Sequence, residues 1–194
     1  MTEKEKMLLG QIYNANYDKE LIEERTKTQD LCFKYNNTIP SNFDERKRIL
    51  KEILGNTKEN FLIEQPFYCD YGYNISLGEN FYANHNLVIL DPGKVTIGDD
   101  VFIGPNCGFY TAGHPAEYEM RNKGLEYAKP ITIGNNVWIG GNVCVLPSVT
   151  IGDNVVIGAG SIVNKDIPSN SLAVGNPCRV VRKLPIDGKK ESII

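Results

Sequence analysis

The chain is poor in the residues that most often build metal centres, disulfide frameworks and membrane spans. Of its 194 residues two are histidine, five cysteine and one tryptophan. His85 and His114 stand 29 positions apart with no third histidine, which argues against a catalytic zinc of the three-histidine type. Cys32, Cys69, Cys107, Cys144 and Cys178 are odd in number, widely spaced and form no C-x-x-C pair. A disulfide framework or zinc cluster is therefore not expected, and no metal is called for. No run approaches the ~18 apolar residues of a membrane span, and the start M-T-E-K-E-K-M-L-L-G has no apolar core of a leader. Basic charge is also short: a formal net charge of -3 speaks against nucleic acid or an anionic membrane as partner. The expectation is a soluble, cytoplasmic, single-domain protein with an appended helical piece.

What the chain has in abundance is a six-residue repeat. From Ile133 it reads I-G-N-N-V-W, I-G-G-N-V-C, V-L-P-S-V-T, I-G-D-N-V-V, I-G-A-G-S-I. An earlier block keeps the frame through Leu77, Ala83 and Ile89, slips by two residues at Pro92-Gly93, and resumes at Ile97, Ile103 and Phe109. Position one is mostly aliphatic and position five small or apolar, so each unit can bury its apolar side only against its neighbours, as in a stacked parallel β-helix. Position two runs Gly, Gly, other in most triplets, for example Gly98, Gly104, Tyr110 and Gly134, Gly140, Leu146. Three sixes then make one coil with three faces and three corners, a triangular prism of about five turns at ~4.8 Å spacing. Glycine at the corners is expected to supply positive φ, with asparagine as its substitute.

Two helices precede the prism. Leu21, Ile22, Arg25, Cys32 and Tyr35 fall at helical spacing among charged residues, and Pro40-Ser41-Asn42 offers a turn and N-cap for D-E-R-K-R-I-L-K-E-I-L, closed by Gly55. Their expected role is to cover an open end of the β-helix, whose strand edges would otherwise invite aggregation. Residues 111–130, T-A-G-H-P-A-E-Y-E-M-R-N-K-G-L-E-Y-A-K-P, do not fit the repeat and are expected to form an ordered loop on one face. The predicted organisation is a helical segment over 1–58, a β-helix over 59–170 carrying that loop, and a basic C-terminal segment and tail over 171–194, mobile from Asp187.

His114 lies inside the loop, between Gly113 and Pro115, and histidine is the side chain best suited to take a proton near neutral pH. His85, within the repeat at A-N-H-N, is the weaker candidate. Asn84 occupies a corner position, which tolerance of left-handed backbone would explain without any function.

The ordered set of motifs resembles the maltose and galactoside O-acetyltransferases of the left-handed β-helix, hexapeptide-repeat superfamily. It comprises M-L-L-G-Q-I-Y, Y-G-Y-N-I-S-L-G-E-N-F-Y-A-N ending at Asn84, T-A-G-H-P around His114, K-P-I-T-I-G-N-N-V-W-I-G-G from Lys129, I-G-D-N-V-V-I-G-A-G-S-I-V from Ile151 and G-N-P-C-R-V from Gly175. Left-handedness, which crossover rules would not give, is implied by this resemblance. So are acetyl-CoA as co-substrate, a sugar acceptor, and a homotrimer with each site between neighbouring prisms. By the same resemblance His114 is the general base and Asn84 holds the acceptor and the oxyanion. Asn16, Asp70, Tyr82, Asp91 and Glu126 would line the sugar pocket. Trp138, Gly141, Ala159, Asn164, Lys165, Arg179 and Arg182 would receive acetyl-CoA, small residues along its arm and cations at its phosphates. Asp70 stands where galactoside enzymes often carry serine, and Pro92 where some carry a second acid, so the chain leans towards the maltose type. A xenobiotic O-acetyltransferase, a small-molecule N-acetyltransferase and a non-catalytic binding β-helix are the other readings these motifs allow.

Overall fold

The computed structural model describes residues 1–186; the tail expected from Asp187 lies outside the described residues. Positions one and five turn inward as the repeat requires. In the coil from Ile75 to Ile89 the side chains of Ile75, Leu77, Phe81, Ala83, Leu87 and Ile89 are all buried, and the residue between each pair points out. Three parallel sheets result, forming the left-handed prism. One face carries six parallel strands, Phe61–Ile63, Phe81–Ala83, Val101–Ile103, Val137–Ile139, Val155–Ile157 and Ser171–Val174. The prism thus has six coils rather than about five, because a coil begins at Asn56–Thr57, before the six-residue motif is legible.

The outward sides of the three faces differ. One presents Ser76, Thr96, Thr132 and Thr150 in register. Another stacks Leu62, Tyr82, Phe102, Trp138, Val156 and Leu172, with Trp138 56 % exposed. The third places Tyr68, Val88, Gly108, Cys144 and Ile162 in line.

The corners correct one expectation. Of the glycines at position two, only Gly72 has positive φ. Left-handed backbone falls two residues later, at position four: Asn80, Asn86, Asp100, Asn106, Asn136, Asn142, Ser148 and Asn154 all have φ between 52° and 72°. Asparagine and aspartate bear that conformation more cheaply than other residues with a side chain. The position-two glycines answer a different need, the approach of the next coil. A Cβ on Gly78 would lie 2.3 Å from the Gly98 carbonyl oxygen, and one on Gly104 would lie 2.5 Å from the Gly141 nitrogen. Asn84 also occupies position two, and its φ is not among the positive ones, so left-handed tolerance does not account for it.

The amino-terminal residues form α1 (Glu3–Leu8), α2 (Lys19–Asn36) and α3 (Phe43–Ile53). Asp18 caps α2 through Leu21 N at 3.0 Å and Asn42 caps α3 through Glu45 N at 3.3 Å. Both helices lie over the end strands Phe61–Ile63 and Phe67–Cys69, whose outer backbone groups lack a neighbouring coil. Asn36 supplies what a strand would. Its Nδ2 donates to Phe67 O at 3.0 Å and its Oδ1 accepts from Phe67 N at 2.8 Å. Arg46 donates to Ile63 O at 3.0 Å and pairs with Glu64 at 2.8 Å, while Tyr35 Oη also donates to Ile63 O. The expected capping role is what these contacts do. At the other end Arg179–Lys183 pairs antiparallel with Ser171–Val174. Among the described residues no helix is long and apolar enough to cross a membrane.

Candidate active site

Residues 111–130 are ordered, as expected, but they are not a simple loop. Ala112–Gly113 and Leu125–Ala128 pair antiparallel, with the short helix α4 (Tyr118–Arg121) between them. Tyr13–Asn14 adds on the far side of Leu125–Ala128 to complete a three-stranded sheet. Buried Thr111 makes the exit from the prism: its Oγ1 donates to Leu90 O and accepts from Gly93 N, each at 2.8 Å. Gly113 has no room for a side chain, since a Cβ there would sit 2.4 Å from Tyr127 Oη.

This geometry presents His114. Its Nδ1 lies 2.9 Å from Leu125 O. A carbonyl can only accept, so the neutral ring carries its proton on Nδ1 and leaves Nε2 with a free lone pair. Glu126 Oε1 is 3.7 Å from Nε2, beyond hydrogen-bond reach. Tyr13 Oη holds the other oxygen of Glu126 at 2.8 Å.

His114, Glu126, Asn16 and Asp70 wall one cleft of about 370 Å³, together with Arg25, Tyr71 and Leu90. Asn16 is fixed by donation to Gly124 O at 3.3 Å. Arg25 donates to Tyr71 Oη at 2.8 Å and Ala15 O at 2.7 Å. Burial raises the Asp70 carboxyl to about 6, opposed by the Arg25 cation and reinforced by Glu126. Three of the residues expected in a sugar pocket therefore meet the expected base in one place.

Others lie elsewhere. Asp91 is not a solvated surface acid and is not a wall of the cleft: it is fully buried, and its Oδ1 accepts from the backbone nitrogens of Asp70 and Tyr71 at 3.0 and 2.9 Å. Tyr82 stands in the outward apolar stack, and Asn84 follows it at the corner, where its Oδ1 accepts from His85 N at 2.7 Å. Trp138 belongs to the same stack. Gly141 and Ala159 sit one coil apart at the corner beyond it, with Pro105 against Gly141. Arg179 donates to Asn164 Oδ1 at 3.2 Å, and Lys165 is exposed. Val181 has no opposite residue in the ladder, so Arg179 and Arg182 oppose Val174 and Leu172 and share one side of the sheet. Among the described residues no group of three or more His, Cys, Asp or Glu side chains is placed to hold a metal ion.

Arg25, Tyr13 and Tyr71 were not anticipated as site residues. The signal for Arg25 was present: a cation on an otherwise apolar helical stripe asks for a buried partner. Tyr13 gave none, since its contact with Glu126 spans 113 positions of sequence.

The six-residue repeats of the prism place the chain among the hexapeptide-repeat transferases. Residues 6–58 match the maltose acetyltransferase hexapeptide capping motif, residues 94–113 the hexapeptide repeat of succinyl-transferase, and residues 130–165 the six-repeat bacterial transferase hexapeptide. A maltose O-acetyltransferase from Clostridium difficile is 52 % identical, with 95 % of this chain and 98 % of that one covered and a TM-score of 0.94. A galactoside acetyltransferase solved with coenzyme A is 45 % identical over 100 % and 96 %, with a TM-score of 0.95. A Vibrio cholerae hexapeptide-repeat acetyltransferase solved with acetyl coenzyme A is 37 % identical over 95 % and 100 %, with a TM-score of 0.88. The chain belongs to the maltose and galactoside O-acetyltransferase family of the hexapeptide-repeat superfamily.

Proposed function

We propose that the protein transfers acetyl from acetyl-CoA to a hydroxyl of a sugar of the maltose, glucose or galactoside type. The observation that carries this reading is the Leu125 carbonyl at His114 Nδ1, which leaves Nε2 as a base facing a cleft walled by Asp70, Glu126 and Asn16. Carboxylates and amides accept and donate to the paired hydroxyls of a sugar. Nε2 takes the hydroxyl proton as the oxygen attacks the thioester carbonyl. The C–O bond forms, the C–S bond then breaks, and the proton on Nε2 passes to the departing sulfur to give the acetyl ester and CoA. Glu126 offsets the imidazolium charge in between. Asp91 contributes through the backbone of Asp70 and Tyr71.

The co-substrate fits the corner of Gly141 and Ala159, where small residues let an extended arm approach the backbone. Arg179, Arg182, Lys165 and Asn164 would meet its phosphates. Both coenzyme-bearing relatives support acetyl-CoA as the co-substrate. A homotrimer would cover the apolar stack of Leu62, Tyr82, Phe102 and Trp138, in which Phe102 and Trp138 are exposed, and would bring Tyr82 and Asn84 of one copy to the cleft of another. His114→Ala is expected to keep the fold and lose ~10²- to 10⁴-fold in acetyl transfer. The assay is CoA release across glucose, maltose, galactosides, chloramphenicol and amino sugars. Near wild-type turnover by the variant would refute the base, and turnover on chloramphenicol or amino sugars alone would refute the sugar.

A further inference from the structure

Cys32 of α2 and Cys69, at the end of the strand Phe67–Cys69, bring their sulfur atoms to 4.0 Å across 37 positions of sequence. Both are free thiols, 2 % and 6 % exposed. They form the floor of a second cleft of about 380 Å³, flanked by the exposed rings of Phe33 and Tyr68, which shares Asp70 and Leu90 with the candidate active site. Linear spacing offered no pair; the packing of α2 on the first coil creates one. We propose that Cys32 and Cys69 are an oxidation site that reacts with a hydroperoxide and closes to a reversible disulfide, altering acceptor binding through Asp70.

The two thiols are not equivalent. The two sulfurs are within reach of one S–H···S hydrogen bond in which either can be the donor; donation by Cys69 draws Cys32 below the ordinary thiol range. That same donation, together with burial, holds Cys69 well above it. With Cys69 as the donor, Cys32 is the sulfur that ionises and attacks. Its thiolate forms an S–O bond with the hydroperoxide as the O–O bond breaks, and the departing alkoxide or hydroxide takes a proton, leaving a sulfenic acid. Cys69 sulfur then attacks Cys32 sulfur. The S–S bond forms, the S–O bond breaks, and hydroxide leaves with the Cys69 proton as water. Two thiols are oxidised and one hydroperoxide is reduced.

A disulfide needs ~2.05 Å between sulfurs, so closure draws α2 and the end strand towards each other. Asp70 follows Cys69 directly and is held by its own N–H on Asp91, so the shift reaches the cleft. The effect on acceptor binding rests on the sugar acetyltransferase reading; the disulfide itself does not. The test treats the folded protein with hydrogen peroxide, blocks remaining thiols under denaturing conditions and maps peptides by mass spectrometry. A Cys32–Cys69 linked peptide is expected, reversed by dithiothreitol. In Cys69→Ser it should be replaced by a dimedone-trapped sulfenic acid at Cys32. Recovery of both thiols blocked and unlinked overturns the proposal, as does oxidation confined to other cysteines. In the linked protein the sugar KM is expected to rise about tenfold with the acetyl-CoA KM unchanged, since a ~1 Å misplacement at a site costs up to ~10²-fold. A linked protein with an unaltered sugar KM overturns the coupling to Asp70. Failure of the reduced protein to acetylate any sugar overturns the sugar reading, and the peptide map still decides the thiol pair.

Discussion

Replacing Asp91 with asparagine should make the protein less sensitive to rising pH. Asp91 is fully buried, its Oδ1 accepts two backbone N–H groups, and its Oδ2 has no partner. Burial lifts the carboxyl from 3.8 to about 7, against the pull of the Tyr71 N–H and with the push of Asp70. An acid raised in the folded state binds its proton more tightly there than when unfolded. Stability from this group is therefore full below pH ~4 and is lost as pH rises through ~7. At ~1.4 kcal/mol per unit over roughly three units, the loss is about 4 kcal/mol, or roughly 10 °C in Tm for a chain of this size. Asparagine keeps the Oδ1 acceptor and carries no charge at any pH. Its Nδ2 occupies the place of the partnerless Oδ2, an offset of ~1–3 kcal/mol that does not vary with pH. The stability of Asp91→Asn relative to wild type should thus climb by about 4 kcal/mol between pH 4 and pH 8. Urea unfolding at half-unit pH steps measures the difference, and groups common to both proteins cancel apart from Asp70, which loses a charged neighbour. A flat difference would refute the reasoning, because it would mean that the native carboxylate is charged throughout and held by its two N–H donors.

The corners allow a sharper contrast. Gly78→Ala puts a Cβ 2.3 Å from Gly98 O and should cost ~3 kcal/mol, whereas Asn136→Gly, at φ 55°, should change stability by only a few tenths of a kcal/mol; equal urea midpoints for the two variants would contradict the division between close approach and left-handed backbone. Asn36→Ala strips both hydrogen bonds from Phe67 and should cost ~2–4 kcal/mol, with a loss under ~0.5 kcal/mol showing that water replaces the amide. The double variant Arg179→Ala, Arg182→Ala should raise the acetyl-CoA KM roughly 10- to 100-fold, from hydrogen bonds to charge worth ~1.5–3 kcal/mol, and an unchanged KM would remove both from the site.

The prism was legible because its physics is local and repeated. An inward position such as Ile103 meets Ile139 of the next coil in register, so the same apolar demand returns every six residues and leaves a mark that composition alone would not. The corner glycines were legible as a pattern and misread as a cause. Gly98 and Asp100 sit two residues apart at one corner, and glycine, asparagine and aspartate are all associated with left-handed backbone. Only the approach of the next coil distinguishes the residue that must lack a Cβ from the one that must tolerate positive φ. The first coil falls within the β-helix expected over 59–170 but adds a turn the repeat does not count, because Phe61, Ile63, Phe67 and Cys69 alternate inward without a corner glycine to announce them.

The site resists the same reading for a reason built into the scaffold. In a regular coil each side chain points either into the core or out from a flat face, and corner backbone is committed to the coils above and below. No repeat position can enclose a cleft, so the histidine had to lie where the chain leaves the prism, and the interruption at 111–130 marks that place. Enclosure then takes elements with no period at all. Tyr13–Asn14 pairs with Leu125–Ala128 in a single antiparallel register, and that pairing sets Tyr13 Oη on Glu126 and Asn16 on Gly124. A hydrophobic pattern cannot encode such a contact, because it is made once, between segments more than 100 positions apart, by polar atoms whose partners are chosen by geometry. The motif around His114 could locate the proposed base; the fold had to supply the carbonyl that chooses its tautomer.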